Sequence, residues 1–331
     1  MKIAYIYFGI KILRISVFIQ FFVKKRLILQ NIFYKMITEK LTGMGVALVT
    51  PFKKDESIDF DALAHLIEYQ INSGTNYLVV CGTTAETPTL SDEEKNEIKK
   101  FVVEQVNGRL PLVYGGVGGN NTKKLVEKLR NEDFSGYDAL LSVSPYYNKP
   151  SQEGIYQHFA ALAQASPLPL IAYNVPSRTG VNMTCETTLR IAREFPQICA
   201  IKEASGLIGQ IDEMIKQKPA DFQIISGDDS ITFPLIMLGA IGVISVIGNA
   251  FPREFSRMVR LALGGDYETA RIIHHRFNEL NKLLFVEGSP SGVKSVLAHF
   301  GYIENILRLP LVPNTTTTTE KINQVLDELG L

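Results

Sequence analysis

The sequence predicts an α/β protein, an eight-stranded parallel β/α barrel, on three observations. From Gly45 onward, short apolar runs alternate with longer amphipathic stretches. The runs are apolar throughout instead of alternating apolar and polar, the signature of parallel strands buried on both faces. Chemically unusual residues gather where the runs end, and barrel sites form at the carboxyl ends of strands. A doubly wound open sheet is the competing arrangement on periodicity alone. Together these features favour a closed (TIM) barrel over residues 41–264, followed by a C-terminal three-helix appendage over 265–331.

The expected strands are Val46–Thr50, Tyr77–Cys81, Leu112–Gly115, Ala139–Val143, Leu170–Tyr173, Cys199–Lys202, Phe222–Ser226 and Gly242–Val246. They are rich in Val, Ile, Leu and Tyr, and most are bounded by Gly, Pro, Ser or Asn. The first helix, in DFDALAHLIEYQINSG, has an Asp cap, apolar residues at helical spacing and a terminal Gly. The second begins with Ser91 and Glu94 in capping-box register. Similar patterns follow over Thr122–Asn131, Ser151–Gln164, Cys185–Glu194, Ile208–Gln217, Asp229–Leu238 and Arg253–Leu263. Beyond the barrel, Asp266–Phe285, Pro290–Phe300 and Thr319–Leu329 read as the appendage, with packing on the barrel or assembly as its role.

Composition narrows the function class. The 331 residues are 46% apolar and 21% charged, which describes a soluble globular chain and not a disordered one. The 34 Lys and Arg balance 34 Asp and Glu, so there is no electrostatic case for nucleic acid. Residues 1–35 differ from the rest: they hold Lys2, Lys11, Arg14, Lys24, Lys25, Arg26 and Lys35 and no acid. The body is therefore mildly acidic. In this N-terminal extension the longest uncharged run is Ile15–Val23, well short of the roughly 20 residues of a spanning helix. No small-residue cleavage site follows, which argues against a secretory signal. An upstream translation start, with Met36 opening the protein, is the expectation; a helix lying on a membrane surface is the alternative. Cys81, Cys185 and Cys199 are odd in number and lack C-x-x-C spacing, which fits a reducing compartment, and the five histidines form no metal motif.

Lys202 is the most informative residue. It ends the ICAI run of a central strand, where a cation is costly unless paired or used. Desolvation lowers a lysine's pKa, and an uncharged amine attacks carbonyl carbons to give a Schiff base. Pairing with Glu203 in a loop is the equally weighted alternative. Imine chemistry needs a proton shuttle, and Tyr173, Tyr147, Thr83 and Thr84 supply hydroxyls at neighbouring strand ends. Arg178 is a fork for a carboxylate. The Gly-rich Gly115–Asn120 segment lacks the spacing of a dinucleotide or phosphate loop, so a nucleotide is not expected.

These segments, GTTAETPTL, SPYYNKPSQEGIYQHF, YNVPSRTG, IKEASG, SGDD and GVISV, resemble in order and spacing those of the dihydrodipicolinate synthase family. That family belongs to the wider group of pyruvate-dependent class I aldolases and N-acetylneuraminate lyases. The likeness runs from about Leu41 to the C-terminus, and the Arg-containing YNVPSRTG separates synthases from lyases. It implies condensation of pyruvate with L-aspartate 4-semialdehyde, towards lysine and diaminopimelate, with no metal or other cofactor. Lys202 would carry the Schiff base and Tyr173 would be the general acid/base. Thr83 and Tyr147 would complete the relay, Tyr147 reaching in from a neighbouring subunit. Thr84 and the Ile244 main chain would hold pyruvate, Gly227 would line the site, and Arg178 would bind the aldehyde's carboxylate. A cytoplasmic homotetramer, a dimer of dimers, is implied, without nucleic-acid or membrane partners.

Two departures stand out. Ala85 replaces the family's second Gly in G-T-T-G-E, stiffening the turn without removing a reacting group. At positions where lysine-inhibited relatives present a Glu and histidines to the effector, this chain has Lys124, Asp92 and Lys95. Weak or absent inhibition by lysine is therefore expected. A lyase splitting a sugar acid or 2-keto acid is the alternative within the family, and a non-catalytic ligand sensor is the alternative outside it.

Overall fold

The computed structural model describes Ile37 and residues 39–330; the expectations for residues 1–35 and Met36 lie outside them. Eight parallel strands close in sequence order into a barrel. They are β1 (Gly43–Ala47), β2 (Tyr77–Val80), β3 (Leu112–Val117), β4 (Ala139–Val143), β5 (Leu170–Asn174), β6 (Ile198–Glu203), β7 (Gln223–Ser226) and β8 (Gly242–Ser245). The open-sheet alternative is excluded by the pairing of β1 with β8. At that seam a Cβ on Gly242, whose φ is +147°, would lie 1.8 Å from the Gly43 carbonyl oxygen. Only glycine lets the two strands meet there.

Strand β1 lies three residues earlier than the apolar run suggests. Gly43-Met-Gly45 looks poor as a strand, yet a Cβ on Gly45 would sit 2.1 Å from the Tyr77 ring. The glycine makes room for a tyrosine inside the barrel, which no local pattern reveals. After Leu48 the chain leaves the barrel, and the Val49 N–H donates to the Asn249 side chain.

Strand alternation divides the core into two layers. Tyr77, Val79, Val113, Leu141, Ile171, Ile225 and Ile244 fill the barrel interior, with Leu41 and Ile37 packed among them. Leu78, Tyr114, Leu140, Ile201, Ile224 and Val243 face outward onto the helices. Those helices are α1 (Phe60–Asn72), α2 (Asp92–Val106), α3 (Thr122–Asn131), α4 (Gln152–Ala165), α5 (Cys185–Glu194), α6 (Ile208–Gln217), α7 (Thr232–Leu238) and α8 (Pro252–Leu263). Asp59, Ser91, Asn121, Ser151 and Thr184 cap α1 to α5 through their side chains, and the Ser91–Glu94 capping box is complete. Each fully buried anchor, such as Leu66 or Phe255, stabilises the fold by about 1.5–3 kcal/mol.

The appendage has four helical segments among the described residues: α9 (Tyr267–Arg276), α10 (Asn278–Leu283), α11 (Ser291–His299) and α12 (Thr316–Glu328). The expected 266–285 helix breaks at Phe277, whose ring is buried 5.1 Å from Phe251 on the barrel. Its N–H donates to His274 three residues back, closing a tight turn. The last helix begins at Thr316 because Thr315 caps it, accepting from the Thr318 N–H.

Candidate active site

Lys202 and Glu203 are consecutive on β6, so their side chains point to opposite faces. Glu203 faces outward, buried, accepting 3.1 Å hydrogen bonds from Asn174 Nδ2 and one of 2.8 Å from the Ser205 N–H. Its carboxylate is thus held away from Lys202, and the pairing alternative fails on geometry. Lys202 points inward and is 5% exposed, with Nζ 4.5 Å from the centre of the Tyr173 ring. Tyr173 is its register neighbour on β5, and Ile225 its neighbour on β7. Burial lowers the Lys202 pKa to about 8; Asp229 opposes the shift and Arg178 reinforces it.

A cavity of about 40 Å³ opens beside this amine. Its lining includes Lys202, Tyr173, Thr83, Gly82, Val79 and Ala47. Thr83 and Tyr173 share this lining; burial raises the phenol's pKa, while Arg178 and the Thr83 hydroxyl pull it down. Thr83 and Thr84 lie in a 3₁₀ turn, Thr83–Ala85, with Thr84 buried. Ala85 is accommodated there without a left-handed backbone, and its carbonyl accepts from Thr50 Oγ1. Ile244 is buried on β8. A Cβ on Gly227 would stand 3.0 Å from both Cγ and Cε of Lys202, so glycine leaves the lysine its path.

Arg178 is exposed in the helical turn Pro176–Thr179 directly after β5. It lines a larger cleft of about 960 Å³ that shares Gly82, Thr83, Gly115 and Val143 with the small cavity. Lys124, Asp92 and Lys95 line this cleft as well, and Lys95 Nζ lies 3.1 Å from Asp92. Tyr147 is not brought to Lys202 within the chain. It is 88% exposed, with a left-handed φ of 65°, and borders neither cavity. The Gly115–Asn120 segment finishes β3, and Asn120 braces the neighbouring loop by accepting from the Tyr146 N–H and donating to its carbonyl.

The structure adds two groups that sequence reasoning missed. Asp229 is buried behind β7, and its Oδ2 accepts from the Val246 and Ile247 N–H groups at 2.9 Å. Burial raises its pKa to about 6, leaving a carboxylate near neutrality whose charge acts on Lys202. The SGDD motif marked the place but not the partner. Glu86, which closes the GTTAE motif, is buried against the appendage. No local signal pointed to that contact.

A buried, weakly basic amine at the mouth of a β/α barrel, beside a phenol and a hydroxyl, defines a Schiff-base-forming lyase of the class I aldolase type. The comparisons agree with that class. The profile of the dihydrodipicolinate synthetase family matches residues 40–329, and the chain belongs to this family. It is 66% identical to the 4-hydroxy-tetrahydrodipicolinate synthase of Parabacteroides distasonis, over 88% of this chain and 98% of that one. It is 63% identical to that of Phocaeicola vulgatus, over 89% and 99%. The crystal structure of dihydrodipicolinate synthase from Aquifex aeolicus superposes with a TM-score of 0.84 at 41% identity, covering 88% of this chain and 98% of that one.

Proposed function

We propose that this enzyme condenses pyruvate with L-aspartate 4-semialdehyde to give 4-hydroxy-tetrahydrodipicolinate, a step towards lysine and diaminopimelate. The observation that carries the reading is Lys202, inward-facing, free of Glu203 and lowered to about 8, facing Tyr173 across a cavity. Its amine adds to the pyruvate carbonyl, and water leaves as the imine forms. Loss of a methyl proton gives an enamine whose carbon attacks the aldehyde, and the aldehyde substrate's own amine then closes the ring and releases the lysine. Tyr173 and Thr83 pass the protons through hydroxyls, without a buried charge. Thr84, Gly227 and the Ile244 main chain hold the pyruvate portion. Arg178, at the mouth, receives the incoming aldehyde's carboxylate. The reaction needs no metal, nucleotide or other cofactor.

Tyr147 completes the relay from a neighbouring subunit in a cytoplasmic homotetramer, a dimer of dimers. Its exposure supports this, as does the exposed ring of Tyr146 beside it in the chain. The first test is pyruvate-dependent consumption of L-aspartate semialdehyde, coupled to a downstream reductase. Turnover by the wild type and its loss in Lys202→Ala support the reading; a folded wild type without turnover overturns it. Lysine is not an effective inhibitor, because Lys124 meets the effector's amino group with like charge. Millimolar lysine is expected to leave the rate within about twofold of the control, and clear inhibition at low concentration refutes this.

A further inference from the structure

The catalytic turn is strained on both sides. Cys81 and Glu86, both non-glycine, hold left-handed φ values of 55° and flank Thr83–Ala85. Such residues persist only where the surroundings over-determine them. On the barrel side the restraints are Thr50 Oγ1 donating to the Ala85 carbonyl and Thr87 Oγ1 donating to the Gly82 carbonyl. The rest comes from the appendage. Lys294, on α11, is wholly buried, with Nζ 2.5 Å from Glu86 Oε1. It directs its hydrogen bond to the Ile306 carbonyl at 2.9 Å and lies 4.3 Å from the Phe52 ring centre. The Arg308 N–H donates to Glu86 Oε2 at 3.1 Å. The Arg308 guanidinium grips both Glu94 carboxylate oxygens, at 2.6 and 2.8 Å, and the Thr89 and Glu56 carbonyls.

We infer that the appendage is a clamp on the proton relay: Glu86, fixed by Lys294 and the Arg308 backbone, is a positioning residue that holds Thr83 against Tyr173. A carboxylate with an ammonium on one oxygen and an N–H on the other cannot rotate without breaking one of them. Its backbone begins one residue after the turn that carries Thr83 and Thr84. This assigns the appendage a part in catalysis, whereas packing alone would require only apolar contacts. Glu86, Lys294 and Arg308 touch no reacting atom; they act through the turn.

The inference rests on the Schiff-base reading, and the experiment separates the two. Wild type, Glu86→Gln and Lys294→Met, each checked for folding by circular dichroism, are given pyruvate alone. Two quantities are read: borohydride-trapped adduct against pyruvate concentration, and exchange of the methyl protons for deuterium by NMR. A wild type that neither traps nor exchanges overturns the Schiff-base reading itself. With an active wild type, folded variants are expected to keep half-saturation by pyruvate within about threefold while exchange slows at least about tenfold, since small misplacement of a catalytic group costs rate and not ground-state binding. Exchange at the wild-type rate in folded Glu86→Gln overturns the clamp, as does equal loss of trapping and exchange. If Lys294→Met does not fold, Glu86→Gln, which keeps the shape of the side chain, decides alone.

Discussion

The barrel mouth and the appendage each bury one lysine, and burial brings both to the same acidity. Lys202 and Lys294 are each lowered to about 8, desolvation being the largest cause in both. Their surroundings differ in every other respect. Lys202 faces an aromatic ring and a cavity, and the carboxylate that acts on it, Asp229, receives two backbone N–H groups on Oδ2. Lys294 has a carboxylate at ion-pair distance and a carbonyl to bond, and is wholly buried. A lowered pKa therefore does not identify a nucleophile. Access and the absence of a directed acceptor do, and these divide a reacting amine from a fastening one.

The sharpest way to break this contrast is to remove each amine in turn. Lys202→Ala is expected to lower turnover by at least about a thousandfold and to abolish borohydride-trapped mass, with the fold intact. Trapping on any other lysine would erase the distinction. Lys294→Met should act chiefly on stability, its effect on the reaction being nearer to about tenfold than a thousandfold. The stability loss should be about 3–5 kcal/mol in chemical denaturation, because the substitution leaves the Glu86 charge buried against a single N–H. Glu86→Gln combined with Lys294→Met removes both charges and should recover most of that loss. No recovery would mean that the pair contributes through shape and not charge.

A smaller effect sharpens the comparison through pH. The Lys202 ammonium does not attack carbonyls, so adduct formation should rise about tenfold per pH unit below 8 and level off above it. Stability changes in the adjoining window, above about pH 8. Folded Lys202 loses its proton near pH 8 and the unfolded side chain near 10.4, so between them the unfolded chain binds more protons and stability rises with pH. Lys202→Met should flatten part of that rise in calorimetric titration. Lys294, whose charge Glu86 partly retains, and the partly buried Lys218 contribute to what remains.

The barrel was legible because each strand is locally complete: Ala139–Val143 and Ile208–Gln217 have the bounds their sequences suggest. The shift of β1 was not, since it depends on a ring 32 residues away lying over Gly45. Lys202, Tyr173 and Thr83 could be read because they end strands, and strand ends in a barrel converge. Lys202 against Glu203 could be decided only by which face each residue takes, a matter of register. Lys294 sits in SGVKSVLAHF, where a lysine reads as an ordinary helix residue. Its partner Glu86 is over 200 positions away, and only the folded chain makes them neighbours. Tyr147 stands apart, exposed and bordering neither cavity within its own chain.

The Tyr77 ring lying over Gly45 is part of the packed floor that makes the barrel a cup. Below the small cavity the interior is filled by Val113, Ile171, Ile225 and Tyr77, and then by Leu41. Whatever reaches the Lys202 amine must come through the mouth past Thr83, and must leave the same way. In a one-door vessel the order of arrival is imposed by shape: the molecule bonded to the amine occupies the depth, and a second reactant can only stand above it. Traffic, and not affinity alone, then sets which partner is committed first.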